Sequence, residues 1–132
     1  YPMSLDQLEQ AHAAFPELAP LAAQLREGWG SARIQVGQVQ LRLRIGDVAD
    51  TLPVWDGRAD AWFLDGFSPA KNPEMWNDAI MAQVGAHTAA GGTFATYTAA
   101  GGVRRALDAA GFAVERRPGF GRKRHMSVGV LR

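Results

Sequence analysis

The sequence predicts an α/β domain whose sheet is mainly parallel and closes on a C-terminal antiparallel hairpin. Three features carry that expectation. Apolar runs of strand length alternate with segments of helical period, the pattern that gives parallel strands joined by helices. Ala61 to Leu64 is almost wholly apolar and stops at Asp65-Gly66. A strand buried on both faces reads this way where it reaches the carboxyl-end rim at which open α/β sheets bind ligands. The last two apolar runs, Phe112 to Arg116 and Met126 to Leu131, have no helix between them, so that pair is expected to be antiparallel.

Taken in order, Ser4-Leu5-Asp6-Gln7 has the form of a capping box. Leu5, Leu8, His12 and Phe15 follow at helical spacing until Pro16 ends that helix. A second helix, starting near Pro20, shows Leu21, Leu25 and Trp29 on one side and stops at Gly28 or Gly30. From Ala32 the period becomes two. Ile34 and Val36, then Val39, Leu41, Leu43 and Ile45, predict two strands paired around Gly37, the second running into Gly46-Asp47. A short helix from Val48 to about Leu52 follows, with Asp47 as its cap, and Pro53 to Arg58 loops into the strand that ends at Asp65. Asn72-Pro73 supplies an N-cap and a first-turn proline for a helix carrying Trp76, Ala79, Ile80 and Val84. Gly91-Gly92 turns into a strand from Thr93 to Thr98, and Val103, Ala106, Leu107 and Ala110 mark a helix closed by Gly111.

A chain of 132 residues, 47% hydrophobic and 20% charged, has the composition of one globular domain, neither disordered nor membrane-embedded. No apolar run approaches the roughly 20 residues that a spanning helix needs. No signal-peptide pattern precedes the first helix, so the expected location is cytoplasmic, with no membrane partner. The absence of cysteine excludes disulfides and thiolate metal sites. His12, His87 and His125 fall on separate elements without metal-ligand spacing, so no metal is expected.

Charge is unevenly distributed. From Arg104 onward there are eight basic residues against two acidic ones, a net of +6; residues 1–103 hold six against eleven, a net of −5, which balances to the overall +1. A basic C-terminal quarter is the footprint of a surface facing phosphates. Arg122-Lys123-Arg124, on a glycine-rich loop with Phe120, can hold RNA backbone while the ring stacks on an unpaired base. The same residues also fit a solvated hairpin whose cations guard a strand edge.

Asp65 is the leading chemical candidate. On the residues alone it either caps a turn or presents a carboxylate at a strand end. Asp47 is similarly open, as a helix cap or as an acceptor for an exocyclic amine, and Phe67 is either core or a rim aromatic.

The run Asp65-Gly66-Phe67-Ser68-Pro69-Ala70-Lys71-Asn72-Pro73 resembles the signature of the methyltransferase domain of tRNA 5-methylaminomethyl-2-thiouridine synthesis. Ordered echoes occur at Phe15-Pro16-Glu17-Leu18-Ala19-Pro20, Gly46-Asp47 and Gly119-Phe120-Gly121-Arg122-Lys123-Arg124. The resemblance implies a Rossmann-like fold, S-adenosylmethionine as cofactor, and tRNA as substrate. It also implies a flavin oxidase, fused or separate, with FAD belonging to that domain alone. By this likeness Asp65 positions the amine to be methylated and Phe67 flanks the base or the donor methyl. Asp47, Val48, Asp65 and Gly66 hold the cofactor, while Lys71, Arg104, Arg105, Arg122, Lys123 and Arg124 meet RNA.

The family's glycine-rich turn is missing from this sequence. Gly119-Phe120-Gly121 has Arg124 where a third glycine would stand and lacks a strand–helix context. Residues 1–132 are therefore expected to form the distal part of a single methyltransferase domain, its first strands missing. A non-catalytic RNA-binding module and a methyltransferase of another exocyclic base amine are the competing readings.

Overall fold

The computed structural model describes residues 2–121 and 123–132. They form two compact units, Tyr1–Gly46 and Asp47–Arg132.

In the first unit, α1 (Leu5–His12) starts at the expected capping box. The Ser4 hydroxyl accepts from the Gln7 amide at 3.2 Å, and the Gln7 side chain accepts from the Ser4 amide at 2.9 Å. A 3₁₀ turn, Pro16–Leu18, leads into α2 (Ala19–Glu27). A hairpin follows, β1 (Arg33–Val36) with β2 (Val39–Arg42). It turns on Gly37 at φ 57°, in the left-handed region that suits glycine, and the Gly37 amide donates to the Gln24 side chain at 2.6 Å. Among the described residues of this unit the buried side chains are Leu8 of α1, Ala22 of α2 and Ile34 of β1. β2 stops at Arg42, short of the predicted end, because its four-residue partner begins at Arg33, directly opposite. Leu43 to Ile45 have no ladder partner to extend them, so Asp47 does not stand at a strand end.

The second unit runs α3 (Val48–Thr51), β3 (Ala59–Phe63), a 3₁₀ turn (Pro73–Trp76), α4 (Asp78–Ala86), β4 (Thr88–Thr96), α5 (Gly101–Ala109), β5 (Phe112–Pro118) and β6 (His125–Leu131). Its sheet has the order β3-β4-β6-β5. β3 and β4 are parallel, and β6 is antiparallel to both β4 and β5. Three strands thus share one direction and β6 alone opposes them, as expected from the helix-free last connection.

The core lies between one sheet face and two helices. Ile80, Met81 and Val84 of α4 and Val103, Ala106 and Leu107 of α5 cover Phe94 and Phe112, whose rings meet edge-on at 5.0 Å. Buried hydroxyls within this layer are satisfied. Thr88 donates to the Val84 carbonyl at 2.6 Å and accepts from the Trp62 indole at 2.9 Å, and Ser127 donates to the Thr98 carbonyl at 2.8 Å.

β4 begins at Thr88 and runs through Gly91-Gly92 to Thr96, rather than spanning Thr93 to Thr98 after a turn there, and two further expectations are corrected. Among the described residues β3 stands at the edge of the sheet and is covered on one face rather than both: Trp62 is partly buried, but Phe63 is 86% exposed. Its apolar sequence suits two covered faces, yet only β4 flanks it and no described element covers the Phe63 face. The second correction concerns the helix after Asn72. Asn72 makes no side-chain cap; Pro73–Trp76 first forms a tight turn, and Asn77 caps α4 by accepting from the Ile80 amide at 2.9 Å.

Candidate active site

Asp65 lies just past the carboxyl end of β3, and its side chain is solvent-exposed. The Leu64 amide makes the last bond to β4, at 2.9 Å to the Ala95 carbonyl, and the Asp65 amide then folds back on the Phe63 carbonyl at 3.0 Å. The next three carbonyls are each held. That of Gly66 accepts from the Tyr97 hydroxyl at 2.6 Å, and that of Phe67 accepts from the Trp76 indole at 2.8 Å. That of Ser68 accepts from the amides of Lys71 at 2.8 Å and Asn72 at 3.0 Å. The turn is therefore fixed through its backbone. Among the described residues the Asp65 carboxylate accepts no hydrogen bond, so capping the turn is not its role.

Asp65 forms part of the wall of two clefts. One, of about 330 Å³, is lined by Phe63, Ala95, Tyr97, Phe120, Lys123 and Met126 among others. The other, of about 230 Å³, is lined by Val48, Leu52, Trp62, Gly66 and Trp76 among others. A carboxylate shared by two adjoining clefts can touch two ligands at once. Gly66 keeps the second cleft open, since a side chain there would meet the Met75 methyl at 3.1 Å and the Trp76 ring at 3.4 Å.

Of the residues expected to hold a cofactor, Val48, Asp65 and Gly66 line this second cleft together. Asp47, adjacent to Val48, caps α3: one oxygen accepts from the Ala49 amide at 2.8 Å. Phe67 is 74% exposed, which excludes a core role, and its ring lines neither cleft.

The expected RNA contacts separate. Lys123 lines the first cleft, its ammonium 5.1 Å from the centre of the Tyr97 ring in cation–π geometry. Phe120, in the same lining, is 94% exposed. Arg124 and Lys71 are exposed as well. Arg122 lies outside the described residues. Arg104 and Arg105, on the first turn of α5, line a different cleft with Gly101, Asp108 and Val114. The two carboxylates of the basic quarter are paired within it, Asp108 to Arg132 at 2.6 Å and Glu115 to Arg117 at 2.9 Å. The bond from Arg117 holds the Glu115 carboxyl below its ordinary pKa and raises that of Arg117.

Two residues of the site went unrecognised in the sequence. Trp76 reads as plain core, and Tyr97 carries no motif. The available signal for Tyr97 was its place one residue past β4, at the same sheet end as Asp65, but using it requires knowing that β4 neighbours β3.

A strand-end carboxylate beside two clefts, on a sheet whose last strand alone opposes the others, defines a methyltransferase-type α/β fold. The chain belongs to the family described as S-adenosyl-L-methionine-dependent methyltransferase, whose model matches residues 9–132. It is 50% identical over 136 residues to the tRNA 5-methylaminomethyl-2-thiouridine biosynthesis bifunctional protein MnmC of Ectopseudomonas mendocina, covering 98% of this chain and 21% of that protein. It is 47% identical over 138 residues to the protein of the same name from Chromobacterium violaceum, covering 99% and 21%. The crystal structure of MNMC2 from Aquifex aeolicus is similar with a TM-score of 0.73 at 28% identity, covering 84% of this chain and 36% of that one. The chain spans about a fifth of the length of the curated relatives it matches.

Proposed function

We propose that this chain works in an S-adenosylmethionine-dependent N-methyltransferase acting on the aminomethyl group of wobble 5-aminomethyl-2-thiouridine in tRNA. The observation that carries the reading is Asp65, exposed on a backbone-locked turn at the wall shared by two clefts. The names of the relatives at 47–50% identity support the substrate.

When bound, S-adenosylmethionine supplies a methyl group on a sulfonium as the electrophile. The second cleft suits part of such a cofactor. Its 230 Å³ falls below the roughly 300–1,000 Å³ of sites that enclose a whole drug-sized ligand, and its walls are largely apolar. Val48 and Leu52 would pack on the flat adenine, and Asp47 would accept from its exocyclic amine with the oxygen not used on Ala49. Gly66 lets the ligand approach the backbone.

The acceptor nitrogen would lie on the first-cleft side of Asp65. The carboxylate accepts one N–H of the neutral amine, which turns the nitrogen lone pair toward the donor side. As the nitrogen gains its fourth bond, the same carboxylate stabilises the positive charge that develops on it. Phe67, exposed on this turn, flanks the base or the donor methyl. Lys123, Arg124 and Lys71 meet phosphates nearby, while Phe120 stacks on an unpaired base. Arg104 and Arg105 would extend the tRNA track along α5.

Both units would serve one methyltransferase domain, since the family match spans residues 9–132. A cytoplasmic location and an attached flavin oxidase belong to the same reading, and the word bifunctional in the relatives' names supports a second activity beside methyl transfer. No helix among the described residues is long and apolar enough to cross a membrane.

The test is Asp65→Asn in the full-length protein, assayed for methyl transfer to tRNA bearing the aminomethyl uridine. The expected loss is roughly 10²–10³-fold in kcat with tRNA affinity retained. A variant within a few-fold of wild type removes the catalytic role. Salt-sensitive tRNA binding without any methyl transfer by the wild type would instead favour an RNA-binding module.

A further inference from the structure

We infer that Tyr97 is a positioning residue for the turn that carries Asp65 and that it ties this turn to Lys123. The inference rests on the reading of Asp65 given above. Gly66, next to Asp65, has no side chain to restrict its torsions, so the peptide between Gly66 and Phe67 is free to rotate, and with it the course of the turn that carries Asp65, unless something holds it. The Tyr97 hydroxyl supplies that restraint, donating to the Gly66 carbonyl at 2.6 Å.

Tyr97 is itself held from two other directions. Its ring meets Trp76 edge-on at 6.4 Å, and Trp76 fixes the next carbonyl of the turn, that of Phe67. The Lys123 ammonium stands 5.1 Å from the Tyr97 ring centre. One side chain thus joins the end of β4, the turn after β3 and the loop between β5 and β6. Lys123 also lines the cleft shared with Asp65, so a phosphate that engages Lys123 acts on the residue that steadies the turn. Neither the fold nor the core needs this hydroxyl: Tyr97 is only partly buried, and phenylalanine would keep the ring, its edge contact and the cation–π contact.

The experiment compares Tyr97→Phe with wild type in the full-length protein by two readouts. The first is amide hydrogen exchange, which reads local opening independently of chemistry. Positioning by Tyr97 predicts exchange in residues 66–72 faster by about tenfold, with β4, β5 and β6 unchanged. The second is steady-state methyl transfer to tRNA carrying the aminomethyl uridine. The expected result is a fall in kcat of roughly 10- to 100-fold with KM for both substrates within about twofold, as a misaligned orienting carboxylate should give. Unchanged exchange in residues 66–72, or a kcat within about twofold of wild type in an active enzyme, overturns the inference, and so does faster exchange spread through the whole sheet. A wild-type protein inactive on this tRNA removes the functional reading instead, and the exchange result then decides the role of Tyr97 by itself.

Discussion

Trp76 donates its indole N–H to the carbonyl of Phe67 at 2.8 Å, tying the short turn before α4 to the loop that carries Asp65. The ring is buried, so the bond is shielded from competing water. Trp76→Phe keeps an aromatic ring but leaves that carbonyl without its donor. The expected cost is about 1–3 kcal/mol of stability. Urea unfolding read by far-UV dichroism measures it, and a variant as stable as wild type would show that water replaces the indole at no cost.

The uncovered face of β3 makes two phenylalanines differ sharply. Phe112 is fully buried against Phe94, so Phe112→Ala should lose about 3–5 kcal/mol. Phe63 is mostly in solvent, and Phe63→Ala should stay within about 0.5 kcal/mol. Equal losses at the two positions in the same unfolding experiment would mean that the Phe63 face is covered in solution.

The start of α4 offers a similar contrast. Asn77→Ala removes the acceptor for the Ile80 amide and should cost about 0.5–2 kcal/mol. Asn72→Ala removes no side-chain cap and should be close to neutral. Thermal midpoints of the two variants rank them directly, and a larger loss at Asn72 would restore that residue as the cap.

Lys123 is the described cation nearest to Asp65's cleft in the basic loop, and a phosphate contact there has a measurable signature. Lys123→Gln should weaken tRNA binding and reduce the slope of log affinity against log salt by roughly 0.7–0.9, the equivalent of one phosphate. A weaker complex with an unaltered slope would assign Lys123 to the Tyr97 ring alone.

What the sequence determined by itself is whatever depends on neighbours along the chain. The Ser4–Gln7 box, the glycine at the hairpin turn and the helix cap at Asp47 all appear as expected, because each is a contact within a few residues. The acid at the end of β3 was readable for the same reason: an apolar run that stops at Asp65-Gly66 marks a strand end whatever lies beside it. The tertiary structure decided what depends on which strands adjoin. The residues of β3 are apolar enough for two covered faces, and only the sheet order reveals it as an edge. Composition put Arg104, Arg105 and Lys123 in one basic quarter, but α5 and the β5–β6 loop carry them to different clefts. Tyr97 and Gly66 lie 31 positions apart, and nothing local to either residue specifies their hydrogen bond. It exists because β4 pairs in parallel with β3, which brings both carboxyl ends to the same rim.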